Sequence, residues 1–506
     1  MAKAPVEISA RDKRLRINSI TLRDFRAFPG PDEIIINLAT PHKQGCNLLL
    51  YGGNGAGKSS LFEAMRGLFA RRPDAKFFKN EKNAFSNEPD ADAQVAVEFT
   101  DTKDPAIWTI ADHPGEVGGD PRVVRTAQRA AMLDYRALLD TNYGQGRKRP
   151  NLFDIAMDLL LADWPLAVGS TLGELWAKTQ SEIPYKRYYA SNVVENCASF
   201  NAEFAAAVDA LKPFARDLLK DLMGEAITLD ELEYGTVHYA DEHQWRDRIF
   251  KNKLLQPSIT YRARGLKQPQ FFLNEAKQSA LALAIYLSAR LACTQTAPDD
   301  APKLIVLDDL LISLDQSNRL PVLDLLMKRF ADWQIVLLTH DRVWFDMARA
   351  HLQPATDWAY LELHDAPTSA SNSMPVVREL GPSAAVSALD QAEEFCEQGH
   401  VAAAATYART AFELALRDWA EKGSVPIRFR INPGDVSTQD LIDAIRKVKA
   451  TDARTDAAKA LKTVEMFRTV ILNPMSHATP PGIVKSEVQG AIAAVRYMIS
   501  VYTKKK

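Results

Sequence analysis

No excess of either charge marks this chain. Its 62 Lys and Arg stand against 64 Asp and Glu, a net charge of −2. Whole-molecule basicity is therefore excluded as a means of holding nucleic acid, and only local runs remain: Arg11–Arg16, Arg147–Arg149 and Lys504–Lys506. Cysteine is scarce. Cys46, Cys197, Cys293 and Cys396 lie far apart with no metal-ligand spacing, which excludes a zinc module or disulfide framework and suits a reducing cytoplasm. No apolar run reaches ~18 residues, so no membrane span is expected. No heptad pattern persists and no C-x-x-C sits at an apex, which argues against a long coiled-coil arm. What is there is an ordinary globular balance, 46% apolar and 25% charged over 506 residues. At ~150 residues per domain, such a length holds roughly two to four domains.

One stretch is far more specific. Gly52-Gly53-Asn54-Gly55-Ala56-Gly57-Lys58-Ser59 fits G-x-x-x-x-G-K-[ST], the Walker A pattern, without a gap. Asn47–Tyr51 reads as a short buried strand before it. Leu61, Met65, Leu68 and Phe69 follow at helical spacing, so a helix begins near Lys58. Strand, glycine loop and helix together present backbone N–H groups to phosphate. Gly52 through Ser60 are therefore the expected nucleotide-binding residues. Lys58 is placed to neutralise the β- and γ-phosphates of ATP, and Ser59 to hold Mg²⁺.

About 250 residues later, Leu304-Ile305-Val306-Leu307-Asp308-Asp309 carries four apolar residues into two acids, the Walker B pattern. Asp308 is the expected second metal ligand. A further strand, Ile335–Leu338, ends in Thr339-His340-Asp341, where an imidazole can contact the γ-phosphate.

With the opening INSITLRDFRAF, these motifs resemble the RecF/SMC branch of the ABC ATPases over roughly residues 15–115 and 255–350. The resemblance implies an α/β fold, an ABC-type P-loop ATPase head with a helical insert, and ATP-driven head-to-head dimerisation. In that family a glutamate polarises the attacking water where Asp309 stands; an aspartate one methylene shorter implies slow hydrolysis. Ile312-Ser313-Leu314-Asp315 is similar to the D-loop, and His340 to the switch histidine. The family's signature loop aligns with Phe271–Gln278, where Asn274 replaces a serine and Glu275 and Ala276 replace two glycines. Asn274 and Lys277 are the candidate contacts to a second nucleotide, with Glu275 turned away from it. Leu133–Leu139 occupies the place of a Q-loop but supplies no glutamine. Variant signatures of this kind are also similar to those of bacterial defence ATPases.

Residues 1–115 are read as the first ATPase lobe, 116–255 as the helical insert, 256–365 as the second lobe and 366–380 as a linker. Residues 381–506 read as an all-α bundle. The bundle is similar to HEPN domains, whose ribonuclease members carry Arg, a polar residue and His near a helix end. Arg468, Asn473 and His477 are the candidates for that role, although the eight residues between Arg468 and His477 exceed the active spacing. Arginine would stabilise a pentavalent phosphate and histidine would move a proton. A sensing or partner-binding bundle is the other reading.

No D-x-D follows the switch region, which excludes a fused TOPRIM nuclease, and no HNH or zinc pattern is evident. Three classes remain. The first is an ATPase sensor or motor in antiviral defence or DNA maintenance with a separate effector nuclease. The second is an ATP-gated ribonuclease resembling anticodon nucleases. The third is a RecF-like DNA clamp. A homodimer or higher homo-oligomer through the heads is the expected assembly, with DNA or RNA as candidate partners and no membrane.

Overall fold

The structure is a computed structural model. It describes residues 14–40, 43–74, 76–101, 103–116, 118–134, 151–167, 169–181, 191–240, 249–266, 269–295, 302–310, 314, 316–352, 357–369, 372–380, 383–427, 436–449, 456–469 and 484–503. The chain divides into Met1–Arg378 and Glu379–Lys506.

Among the described residues, fifteen strands run from the start of the first unit to its end. β1 (Ile17–Arg23), β2 (Ile34–Asn37), β4 (Gln94–Phe99) and β5 (Ala106–Thr109) form an antiparallel sheet in the order β2-β1-β4-β5, with β3 (Asn47–Gly52) lying between them in sequence. β3 is central to a six-stranded sheet with β6 (Ala130–Asp134), β12 (Leu304–Asp308), β13 (Gln334–Thr339), β14 (Trp358–Ser369) and β15 (Asn372–Glu379), ordered β15-β14-β3-β13-β12-β6. The ladders from β14 through β3, β13 and β12 to β6 are all parallel. Parallel strands covered on both faces need continuous apolar runs, and LIVLD and QIVLLT are buried at every position. Five strands therefore end on the same side, where a doubly wound sheet binds its ligands.

The longer helices of this unit are α1 (Lys58–Leu68), α2 (Leu172–Ser181), α3 (Ser191–Met223), α4 (Glu275–Thr294), α5 (Gln316–Arg329) and α6 (Arg342–Leu352). α4 is buried almost all round because its Ala and Leu residues face neighbours on every side.

Two sequence expectations change. The segment 116–255 is not wholly helical. Residues 130–134 are the outermost parallel strand of the nucleotide sheet. After α3 come β7 (Ile227–Tyr234), β8 (His238–Ala240), β9 (Ile249–Lys251), β10 (Leu255–Tyr261) and β11 (Arg264–Leu266), with β10 central to an antiparallel β11-β10-β7 sheet. The run Asp230-Glu231-Leu232-Glu233 is made of helix formers, yet Ile227, Leu229 and Leu232 are the buried positions, and pairing with β10 overrides propensity. The segment 366–380, read as a linker, instead ends β14 and forms β15. Its Pro375 is tolerated because β15 is at the sheet edge.

The first basic run makes structural contacts where it is described. Arg14 pairs with Asp332 at 2.5 Å, and Arg16 donates to Asn47 Oδ1 at 2.7 Å. Arg147–Arg149 and Lys504–Lys506 lie outside the described residues. All four cysteines are free and buried. Among the described residues no helix is long and apolar enough to cross a membrane.

The second unit contains α7 (Ala384–Glu397), α8 (Val401–Lys422), α9 (Thr438–Lys449), α10 (Asp456–Phe467) and α11 (Lys485–Thr503). Ser383 caps α7 by accepting from Val386 N. Ala404, Ala405, Ala408 and Ala411 form a fully buried small-residue face, which together with Phe412, Leu416, Ile442, Val464 and Val495 builds one core. The helical bundle read from the sequence is thus the architecture observed.

Candidate nucleotide site

The site begins where β3 ends. Gly57 caps α1 with φ 103°, and a Cβ there would meet Phe28 Cζ at 3.2 Å; Gly55 also has φ +85°. Only glycine combines that backbone with that clearance. Asn54 and Gly55 are exposed, while Gly52, Ala56, Gly57 and Lys58 are buried. The loop is therefore anchored at both ends and open at its crest.

Lys58 Nζ is within hydrogen-bond range of Gly52 O (2.7 Å) and Gly53 O (3.1 Å), and lies 4.0 Å from Asp309 Oδ2. Ser59 Oγ donates to Asp308 Oδ2 at 3.0 Å across 249 residues of sequence. Walker A and Walker B are thus brought together as the sequence led us to expect. Ser60 differs: its hydroxyl is turned to Ala27 N, from which it accepts at 3.3 Å.

Asp309 is held in the left-handed region, φ 51°. Such a conformation costs on the order of 1–3 kcal/mol and persists only where surroundings impose it. Here its N–H donates to Leu338 O (3.0 Å), its Oδ1 accepts from His340 N (2.8 Å), and its Oδ2 lies 2.9 Å from His340 Nδ1. One carboxylate therefore faces both Lys58 and His340. With Nδ1 donating to it, Nε2 is the ring nitrogen left for another partner.

Asp308 differs from Asp309. Burial, then the Asp309 charge, push its carboxyl up to about 6, with Asp134 adding to the rise; the Ser59 hydrogen bond and Lys58 pull it down. Its Oδ1 is buried without a hydrogen-bond partner. An orphaned carboxylate oxygen beside a serine hydroxyl is the donor set a hard divalent cation takes. Ser59 and Asp308 fit Mg²⁺.

Several side chains that sequence reading missed fix this edge. Arg319 donates to Leu314 O (3.1 Å) and pairs with Asp341 (2.7 Å), tying the D-loop-like segment to the His340 turn. Asp315 itself lies outside the described residues. Arg342, two residues after His340, contacts buried Glu362 on β14 and stacks over Tyr51, the residue before Gly52. Glu362 also receives His364 (3.0 Å), and these partners, with Arg378, outweigh burial and hold its carboxyl below the usual range. No local motif marks these residues; they meet only through strand register.

The signature-like loop is built otherwise. Asn274 caps α4, its side chain accepting from Lys277 N at 3.2 Å. Lys277 Nζ lies 3.2 Å from Tyr261 OH. Glu275 is exposed in the first turn, where a carboxylate is favourable.

In the bundle, half-buried Arg468 donates to Gln439 Oε1 at 3.0 Å. Asn473 and His477 lie outside the described residues.

The family described as AAA domain matches residues 19–136, which span β1, the glycine loop and β6. No curated protein matches the chain. Solved structures similar to it include the Smc head domain of Pyrococcus furiosus with an extended coiled coil, bound to the C-terminal domain of ScpA. It has 14% identity, covering 76% of this chain and 100% of that one, with a TM-score of 0.40. The recombination mediator RecF with ATP has 13% identity over 73% and 98% of the two chains, TM-score 0.42. The SMC head domain from Thermotoga maritima has 14% identity over 72% and 99%, TM-score 0.30. The fold is mixed α/β, followed by a helical C-terminal region.

Proposed function

We propose that this chain binds and hydrolyses ATP and acts as the sensor or motor subunit of a bacterial antiviral or DNA-maintenance system, controlling a separate nuclease effector. The observation that carries the ATPase reading is the meeting of Ser59 with Asp308 and of Lys58 with Asp309 and His340 at one sheet edge. The glycine loop and Lys58 hold the phosphates. Asp309 orients the attacking water and accepts its proton, and His340 reports on the γ-phosphate. Mg²⁺, held by Ser59 and Asp308, would neutralise phosphate charge. Positioning is most of phosphoryl-transfer catalysis, so the short Asp309 side chain implies slow turnover.

Exposed Asn274 and half-buried Lys277 supply the polar groups that association of two heads around ATP would use. Asp315 joins that set in this reading. Sedimentation of the wild type and Asp309→Asn with and without ATP tests it. A mass shift with ATP, retained longest by Asp309→Asn, is expected; an unchanged mass in both would remove the dimer mechanism. The effector assignment is tested by adding purified protein, ATP and total tRNA. No cleavage is expected. Cleavage lost in both Arg468→Ala and His477→Ala would favour the ribonuclease reading, with Asn473 as its polar residue; a RecF-like clamp would instead show ATP-dependent DNA binding without any nuclease.

A further inference from the structure

We infer that Glu362 is a positioning residue for His340: through Arg342 it ties the histidine turn to the strands beside the glycine loop. This rests on the ATPase reading above and adds to it a side chain that touches no nucleotide.

The placement comes from the sheet. β14 pairs in parallel with β3, and the register sets Glu362 opposite Tyr51 and Leu363 opposite Gly52. The carboxylate therefore stands level with the residue before the glycine loop, and it is 3% exposed. It pairs with Arg342, the first residue of α6, two residues after His340. The Arg342 guanidinium lies 5.2 Å from the centre of the Tyr51 ring and 5.6 Å from that of buried Phe345. Those two rings are themselves 5.8 Å apart. One guanidinium thus joins β14, β3 and α6.

Neither charge favours stability where it stands. A buried carboxylate costs free energy unless its partners offset the lost hydration. A cation in the first turn of a helix opposes the macrodipole. What the pair holds accounts for both. From the β12 side, the histidine turn is fixed by Asp309, which accepts from His340 N at 2.8 Å, and by Arg319, which pairs with Asp341 at 2.7 Å. From the β14 side it is fixed by Glu362 through Arg342. The glycine loop is anchored separately, by Phe28 against Gly57 and by Lys58 on the Gly52 and Gly53 carbonyls. Loss of the pair should therefore displace His340 and leave the phosphate-binding loop in place.

The test is steady-state ATP hydrolysis by the full-length protein, with ATP binding measured separately and the His340 ring followed by proton–carbon NMR. Glu362→Gln should lower kcat by about 10- to 100-fold, the scale set by displacing a group from its working position. Its Kd for ATP should stay within about twofold of wild type, and its His340 resonances should shift. Arg342→Ala should repeat all three results. Arg342 is exposed, and Glu362 keeps His364 at 3.0 Å and Arg378 at 3.6 Å, so this variant covers a failure of Glu362→Gln to fold. Arg342→Lys keeps the charge without the planar fork and should recover part of kcat. Wild-type kcat in both Glu362→Gln and Arg342→Ala, with Lys58→Ala inactive, overturns this inference and leaves the ATPase reading standing. A raised KM at unchanged kcat, or a lowered kcat with unmoved His340 resonances, overturns it as well. No hydrolysis by the wild type overturns both.

Discussion

The carboxyl edge of the six-stranded sheet and the Arg468 end of the bundle each display side chains suited to phosphate chemistry, yet they are built differently. At the sheet edge, Lys58 and Asp308 are buried, and every reactive group is held by partners from elsewhere in the chain: Ser59 by Asp308, Asp309 by His340, Asp341 by Arg319. In the bundle, Arg468 is half-buried and, among the described residues, donates to surface Gln439. Preorganisation requires a supporting shell that fixes rotamers before substrate arrives. The sheet edge has one; the described part of the bundle end does not.

The largest expected effect breaks the first side of that contrast. Lys58→Ala should reduce ATP hydrolysis by about 10²–10³-fold, the usual cost of removing one donor from a developing phosphate charge, measured as phosphate release. Asp309→Asn comes next. It keeps the shape and the backbone but removes the acceptor, so turnover should fall by about 10²-fold while filter binding still detects ATP.

Asp308→Asn sharpens the comparison in the opposite direction. A carboxyl raised to about 6 in the fold, against an ordinary 3.8, binds more protons folded than unfolded between those values. Stability therefore falls as pH rises through that window, and the full penalty is present above pH ~6. Removing the charge should stabilise the ligand-free protein by about 2–3 kcal/mol at pH 7.5, a gain that disappears below pH ~4. Urea melts at the two pH values check this, and a variant no more stable than wild type at pH 7.5 would contradict it. The smallest effect belongs to the bundle. Arg468→Ala should change stability by no more than about 0.5 kcal/mol and leave ATPase activity unaltered in the same phosphate-release assay.

How much of this was legible in the sequence follows the same divide between local and non-local information. The glycine loop, the strand before it and Asp308–Asp309 were readable because motif and periodicity lie within a few residues. The bundle helices were readable from their 3.6-residue spacing. On α8, Arg409 and Glu413 pair at 3.1 Å, and Glu413 also accepts from Thr438 Oγ1. Arg342 and Glu362 were not legible as site residues, because only the packing of α6 and the register of β14 bring them to the edge. β7 was hidden by its acidic helix formers, and β15 by proline and serine that resemble a tether.

The left-handed φ of Asp309 has a further consequence for residue choice. Aspartate and asparagine enter that region readily because their short polar side chains bond locally, whereas longer or branched residues resist it. Asp309 also uses its short carboxylate to accept from the N–H of His340 on the neighbouring strand's turn. Replacing it with the longer glutamate would therefore have to move the backbone and the histidine turn as well. At this position the main chain selects the amino acid, and the chemistry works with what it admits.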